Sequence, residues 1–297
     1  MDLIIGTRGS KLALAQAAWV RERLDGAGHA AEICVLATSG DKLVSLAAPG
    51  VKGLFIKEIE EALLDGRINL AVHSMKDVPV DQPDGLSIAA VPAREDPRDA
   101  LLTRSGAALS GLPAGSRIGT SSLRRESQLR SLRPDLIVIP MRGNVDTRIA
   151  KMMRGECDAL VVAAAGLRRL GLAQPVAEYF EPEHLCPAPG QGALAIEVRR
   201  GDSRAAAAAK LLDDPWAHCT VRAERAVLRA LGGGCRTPIG AFAVMAGERL
   251  KITAMVAAPD GSRIVRSHTE ASASDPDAAG ASLAEDLLRL GARIVDF

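Results

Sequence analysis

The chain has few aromatic side chains: two Trp, one Tyr and four Phe in 297 residues. Its cores must therefore be built from Ala, Leu, Ile and Val carried on helices and sheets. It also has no excess of charge. Thirty-seven Lys and Arg against 36 Asp and Glu leave a formal net charge of +1, which argues against nucleic acid or an anionic membrane surface, because both reward a broad cationic surplus. No apolar run reaches membrane-spanning length, and the opening MDLIIGTRGS lacks the basic leader and cleavage region of a signal peptide. A cytoplasmic protein without a membrane partner is expected. No apolar surface stripe argues for more than a monomer. The five cysteines, at 34, 157, 186, 219 and 235, form no C-x-x-C pair and no zinc-type spacing with histidine, so neither a disulfide framework nor a metal centre is expected. His184 with Cys186, and His218 with Cys219, bring possible ligands together but fall short of a four-ligand set. Phosphate-loop, dinucleotide and G-x-S-x-G signatures are missing in their required contexts.

What is present is an alternation of short apolar runs and longer helical patterns, in a chain long enough for two or three domains. LII (3–5), a helix from about Ser10 to Leu24 and AEICVLAT (31–38) read as a parallel βαβ unit. In GLFIKEIEEALLDG the positions Phe55, Ile59, Ala62 and Leu63 share one helical face and Gly66 supplies the stop, after which INLAVHS (68–74) is a buried strand. An internal echo pairs IIGTRGSKLALAQ (4–16) with RIGTSSLRRESQL (117–129). Each is a strand, a Gly-Thr step, hydroxyl residues and a helix, so Ser10 and Ser122 serve as N-caps and both helix N-termini are potential anion seats. VPAREDPRDALL (91–102) and CPAPGQGALAIEV (186–198) read as two connectors between α/β domains. If the chain crosses twice, two lobes flank a cleft. A pentaalanine helix near 205–209 and a break at Pro215 precede a small α+β segment. It contains a helix, the strand-like pieces AFAVMA, LKITAMVA and RIVRSH, and a terminal helix over 281–292.

Three constellations carry chemistry. In ALGGGCRTPIG (230–240), Cys235 follows three glycines. One glycine suffices for a helix cap, and three suggest the close approach of something large, with Pro238 fixing the exit of the loop. In AVHSMKDVPV (71–80), Lys76 and Asp77 stand at the end of a buried strand, where α/β proteins bind ligands, although a surface ion pair would explain them too. Arg8, Arg124, Arg125, Arg142, Arg148 and Arg169 all fall near strand-to-helix junctions. Their forked guanidinium groups match carboxylates, and a polycarboxylate fits them better than a nucleic acid.

On IGTRGS, KGLFIKEIEEALL, AVHSMKDVP, IGTSSLRR, RGNVDTR, AAGLRRLG, APGQGALAIE and ERAVLRALGGGCRTPIG, in this order over most of the first 240 residues, the chain resembles the porphobilinogen deaminase (hydroxymethylbilane synthase) family. The resemblance implies two periplasmic-binding-protein-like α/β lobes with a cleft, plus a small α+β C-terminal domain. Their bounds would be 1–92 with 193–212, then 98–187, then 215–297. It implies a transferase of tetrapyrrole and heme biosynthesis that adds four porphobilinogen units head to tail to a dipyrromethane cofactor, releasing ammonia and then hydroxymethylbilane. Cys235 would hold that cofactor through a thioether. Asp77 would be catalytic, stabilising positive charge and moving protons. Lys76, Ser122, Arg124, Arg125 and Asp41 would bind the cofactor. Arg8, Ser10, Arg142, Arg148 and Arg169 would take substrate or the growing chain, with Gln191 beside them at the hinge. Lys52 and Phe55 would belong to a lid. The chain departs from the family at 50–53, with GVKG in place of GGKG, and the stretch from Asp41 to Lys52 is short. Two other classes fit parts of the chain: a two-lobed anion-binding protein, for which a secretory leader would be expected, and a cysteine-dependent acyl transferase using a base such as His218.

Overall fold

The structure is a computed structural model, and it describes residues 2–37, 56–172, 176–233 and 237–293. It divides into two compact units, Met1–Glu95 with Gly192–His218, and Asp96–Gln191 with Cys219–Phe297. No helix among the described residues is long and apolar enough to cross a membrane.

The first unit begins with the parallel pair expected from the sequence. Strands β1 (Leu3–Arg8) and β2 (Ala31–Leu36) lie in parallel register, joined by helix α1 (Lys11–Gly26). The hydroxyl of Ser10 accepts from Ala13 N at 3.2 Å and caps α1, while Ala17, Val20 and Leu24, at helical spacing, turn inward. Helix α2 (Lys57–Leu64) buries Ile59, Ala62 and Leu63, and carries Glu58 and Glu60 in its first turn, where the helix dipole favours them. Gly66 at φ +73° ends it. Strands β3 (Leu70–Ser74), β4 (Leu86–Ala90) and β10 (Leu194–Arg199) complete a sheet of order β2-β1-β3-β10-β4, in which β10 runs antiparallel to both neighbours. One face packs Leu3, Ile5, Val72 and Ile196 against α1 and the alanines of the helix Ser203–Lys210, and the other packs Ala71 and Leu86 against α2. Each fully buried Leu or Ile here stabilises the fold by about 1.5–3 kcal/mol.

The second unit contains a sheet of the same design. Strands β5 (Asp99–Thr103), β6 (Arg117–Gly119), β7 (Ile137–Ile139), β8 (Ala159–Ala163) and β9 (Val176–Phe180) take the order β7-β6-β8-β5-β9. Strands β6, β7 and β8 are parallel and β5 is antiparallel to its neighbours. The helices α3 (Leu123–Leu132), α4 (Val145–Met153) and α5 (Ala164–Arg169) follow β6, β7 and β8 in turn. The internal echo in the sequence is therefore β1–α1 beside β6–α3. The connectors are shorter than the sequence suggests, because Asp99–Thr103 and Leu194–Arg199 are each the antiparallel strand of a sheet.

A three-stranded antiparallel meander, Ile239–Ala246, Arg249–Ala257 and Ile264–Ser272, closes the chain with the helices Pro215–Ala230 and Pro276–Arg289. Pro215 starts a helix instead of breaking one, with Asp214 Oδ1 accepting from Trp216 N and Ala217 N. The last helix begins at Pro276, not 281, because Asp275 caps Ala278 N and Pro276 takes the first turn. The two helices meet at Gly280, where an added Cβ would stand 2.2 Å from Ala223 O. Gly280→Ala should therefore cost about 1–3 kcal/mol despite alanine's helix propensity, since backbone cannot move aside. A urea midpoint at or above wild type would contradict that packing.

Candidate active site

Strand direction gathers the sequence-selected residues at two sheet edges. In the first unit β1 and β3 are parallel, so their carboxyl ends, carrying Arg8 with Ser10 and Lys76 with Asp77, lie along one edge, the place where open α/β sheets hold ligands. Arg8 is half-buried as the last residue of β1. Lys76 and Asp77 occupy a single 3-10 turn, Met75–Asp77, anchored by the buried Met75, whose N donates to Ala193 O at 3.0 Å. Lys76 is half-buried and Asp77 is exposed. The hydroxyl oxygen of Ser10 accepts the α1 capping bond, which does not use its O–H.

In the second unit the carboxyl ends of β6, β7 and β8 likewise face one edge, and each leads into its own cationic segment. After β6 come Ser122, Arg124 and Arg125. Ser122 is the N-cap of α3, but its hydroxyl makes no capping bond, so only one of the two expected serine caps forms. After β7 come Arg142, exposed, and Arg148, whose Nε donates to Gly143 O at 2.6 Å. Arg169, half-buried, is the last residue of α5 after β8.

The sequence reading missed Asp99, the residue that organises this edge. Because β5 runs antiparallel to β8, its first residue pairs with Ala163, the last of β8, and so lies at the carboxyl edge. Asp99 is 0% exposed. Its Oδ1 accepts from Arg125 Nε at 3.0 Å, from Arg125 Nη2 at 2.7 Å and from Gln191 Nε2 at 2.9 Å. Arg124 Nη1 donates to Cys186 O at 2.5 Å and lies 2.8 Å from Asp99 Oδ2. That contact is chiefly Coulombic. Both guanidinium groups are buried. Gln191 gives its amide to Asp99 and to Pro97 O at 2.7 Å, which ties it to this cluster. Burial pushes the Asp99 carboxyl up, but the charges of Arg124 and then Arg125, with their hydrogen bonds, prevail and hold it below the usual carboxylate range. Its ion pairs therefore contribute fully above the ordinary carboxylate pKa of about 3.9 and fade as pH falls through the lower folded value. Asp99→Asn should cost about 3–5 kcal/mol at neutral pH by leaving two buried cations without their counter-charge, and should flatten the loss of stability below about pH 4. Equal urea midpoints for variant and wild type would refute this.

The thiol of Cys186 is buried, and burial pushes it up to about 12, which makes it an inert packing group. Asp41, Lys52, Phe55 and Cys235 lie outside the described residues. Two of the glycines before Cys235 have reasons of their own. Gly232 adopts φ +62° to end the preceding helix, and a Cβ on Gly233 would stand 2.1 Å from Ile239 Cδ1. Gly232 and Gly233 thus answer a cap and a packing contact. A cavity of about 420 Å³ lined by Thr237, Pro238, Val256 and Arg263 contains none of the sequence-selected site residues. Among the described residues no three His, Cys, Asp or Glu side chains gather as a metal site would require.

Comparison with known proteins gives this arrangement a context. Residues 3–207 match the family model described as porphobilinogen deaminase, dipyromethane cofactor binding domain, and residues 218–289 match the porphobilinogen deaminase C-terminal domain. A porphobilinogen deaminase of Roseiflexus castenholzii is 49% identical over 294 residues, 98% of this chain and 97% of that protein. One from Thiobacillus denitrificans is 49% identical over 297 residues, covering 99% and 97% respectively. Among solved structures, a periplasmic substrate-binding protein from Coxiella burnetii aligns over 72% of this chain and 92% of that one, with a TM-score of 0.45 and 14% identity. With both family models matched in order and half the residues shared over nearly the whole length, the chain belongs to the porphobilinogen deaminase family.

Proposed function

We propose that the chain condenses four porphobilinogen molecules head to tail on a dipyrromethane primer, releasing ammonia at each addition and hydroxymethylbilane at the end. The observation that carries this reading is the set of cationic side chains at the carboxyl ends of parallel strands, with the exposed carboxylate of Asp77 at such an edge. Porphobilinogen bears an acetate and a propionate, so a lengthening chain of its rings needs many fixed cations, and forked guanidinium groups suit that need. The same donor chemistry fits the cofactor, which has the same side arms.

Held by a thioether at Cys235, the dipyrromethane supplies the nucleophilic pyrrole carbon that the first substrate joins. Ser122, Lys76, Asp41, Arg124 and Arg125 bind its carboxylates and ring nitrogens, with Asp99 setting the orientation of the two arginines. Arg8, Ser10, Arg142, Arg148 and Arg169 bind substrate and the elongating product. Gln191 acts through Asp99, and Lys52 and Phe55 belong to a lid. Departure of ammonia from the aminomethyl arm of the substrate leaves a cationic pyrrole. Asp77 stabilises that charge and takes up the ring proton released when the new carbon–carbon bond forms. We read three domains, 1–92 with 193–212, 98–187 and 215–297, in a monomeric cytoplasmic enzyme.

Incubation with porphobilinogen should release one ammonia per molecule consumed and yield a linear tetrapyrrole; unconsumed porphobilinogen would overturn the reading. The division of roles has its own test. Arg125→Leu should reduce the fraction of protein carrying cofactor by intact mass, whereas Arg169→Leu should load normally and lose roughly tenfold or more in kcat/KM, the scale of one charge-assisted contact. The reverse order would reassign both residues.

A further inference from the structure

Glu197 is a carboxylate in the middle of a sheet. It lies on β10, between β3 and β4, is 0% exposed, and has no part in the chemistry described above. A buried charge is costly, and an apolar residue of similar size would serve a sheet at least as well. Its partners suggest what it does. His73 Nε2 donates to Glu197 Oε2 at 3.1 Å and Gln82 Nε2 donates to Oε1 at 3.0 Å. His73 stands two residues before the Met75–Asp77 turn, and Gln82 lies in the segment between that turn and β4. A single carboxylate therefore grips the chain on both sides of Lys76 and Asp77. Register explains the reach. Ala195 pairs with His73 and Glu197 with Ala71, so Glu197 and His73 are diagonal neighbours on one face. Glu60 of α2 faces the same cluster. Burial raises its carboxyl above the ordinary range, Glu197 adds to the rise and His73 opposes it.

We propose that Glu197 is a positioning residue for Asp77, holding His73 and Gln82 so that the turn between them presents its carboxylate at a fixed place. This inference rests on the assignment of Asp77 to the reaction, and steady-state kinetics of cofactor-loaded protein, with loading checked by intact mass, separate the two. Glu197→Ala should lower kcat about ten- to a hundredfold, the effect of a misplacement near 1 Å, with KM little changed. Glu197→Gln retains an acceptor for Gln82 and a donor for His73 in its other tautomer, and should restore most of the rate. Gln82→Ala breaks one tie outside the sheet and should lower kcat several-fold, again with KM little changed; it decides the matter if Glu197→Ala does not fold. Wild-type kcat in both alanine variants beside an inactive Asp77→Ala would overturn the positioning role and leave Asp77 in place. A loss confined to thermal stability, with kcat intact, would overturn it as well. Normal turnover by Asp77→Ala would remove the assignment and the inference together.

Discussion

Cys235→Ser is expected to yield a folded protein whose intact mass equals that of the bare chain, while wild type carries the added mass of two pyrrole units. The exchange removes one atom's worth of chemistry. A thiol ionises far more readily than an alcohol and its anion is the stronger nucleophile, so serine cannot form the thioether. Folding should be little affected, because the described neighbours of this position serve structure on their own account. Gly232 ends a helix, Gly233 gives room to Ile239, and Thr237 O accepts from Ile239 N at 2.8 Å. Without a primer there is nothing to extend, and turnover should fall below detection. The same preparation treated with acid Ehrlich reagent should stay colourless where wild type colours. A wild-type mass with no addition would remove Cys235 from the reaction.

Asp77→Ala should separate loading from catalysis. Its side chain is exposed on the 3-10 turn after β3, with Met75 buried beneath it, so truncation should leave the fold intact. General acid–base assistance is worth roughly 10²–10⁴-fold, and kcat should drop by that order with the cofactor still largely attached. Stabilisation of the cationic substrate by the same carboxylate would add to the loss. Near-normal kcat in loaded protein would show that another group moves the proton.

Much of this architecture was legible because it rests on local chemistry. The βαβ start, the α2 face that ends at Gly66 and the C-terminal strands follow from periodicity and glycine. The echo between residues 4–16 and 117–129 reflects two sheets of matching strand order. The cationic junctions were visible as well, since strand ends can be found from apolar runs. Asp99 was not visible, because it sits in a stretch dense in Pro, Arg and Asp that reads as a connector. Only antiparallel pairing beside β8 carries it to the edge where Arg124 and Arg125 wait. Glu197 and His73 did leave a sign, each being the one ionisable residue in an apolar strand run, ALAIEV and LAVHS. A charge at a buried strand position requires a partner, but sequence spacing does not say which one. The alanine and leucine pattern alone puts the start of the last helix at 281, whereas the Asp275-Pro276 cap starts it at Pro276.

The placement of β10 has a consequence for how the chain comes into being. This strand is inserted between β3 and β4, yet it is synthesised after every strand of the second five-stranded sheet. On the ribosome the sheet built from Asp99–Phe180 can close while the N-terminal one still lacks an inner member, with β4 deprived of its partner and an edge of β3 bare. Of the two five-stranded sheets the one begun first is thus completed second, and a nascent chain stalled near residue 191 would present that incomplete sheet to proteases and chaperones.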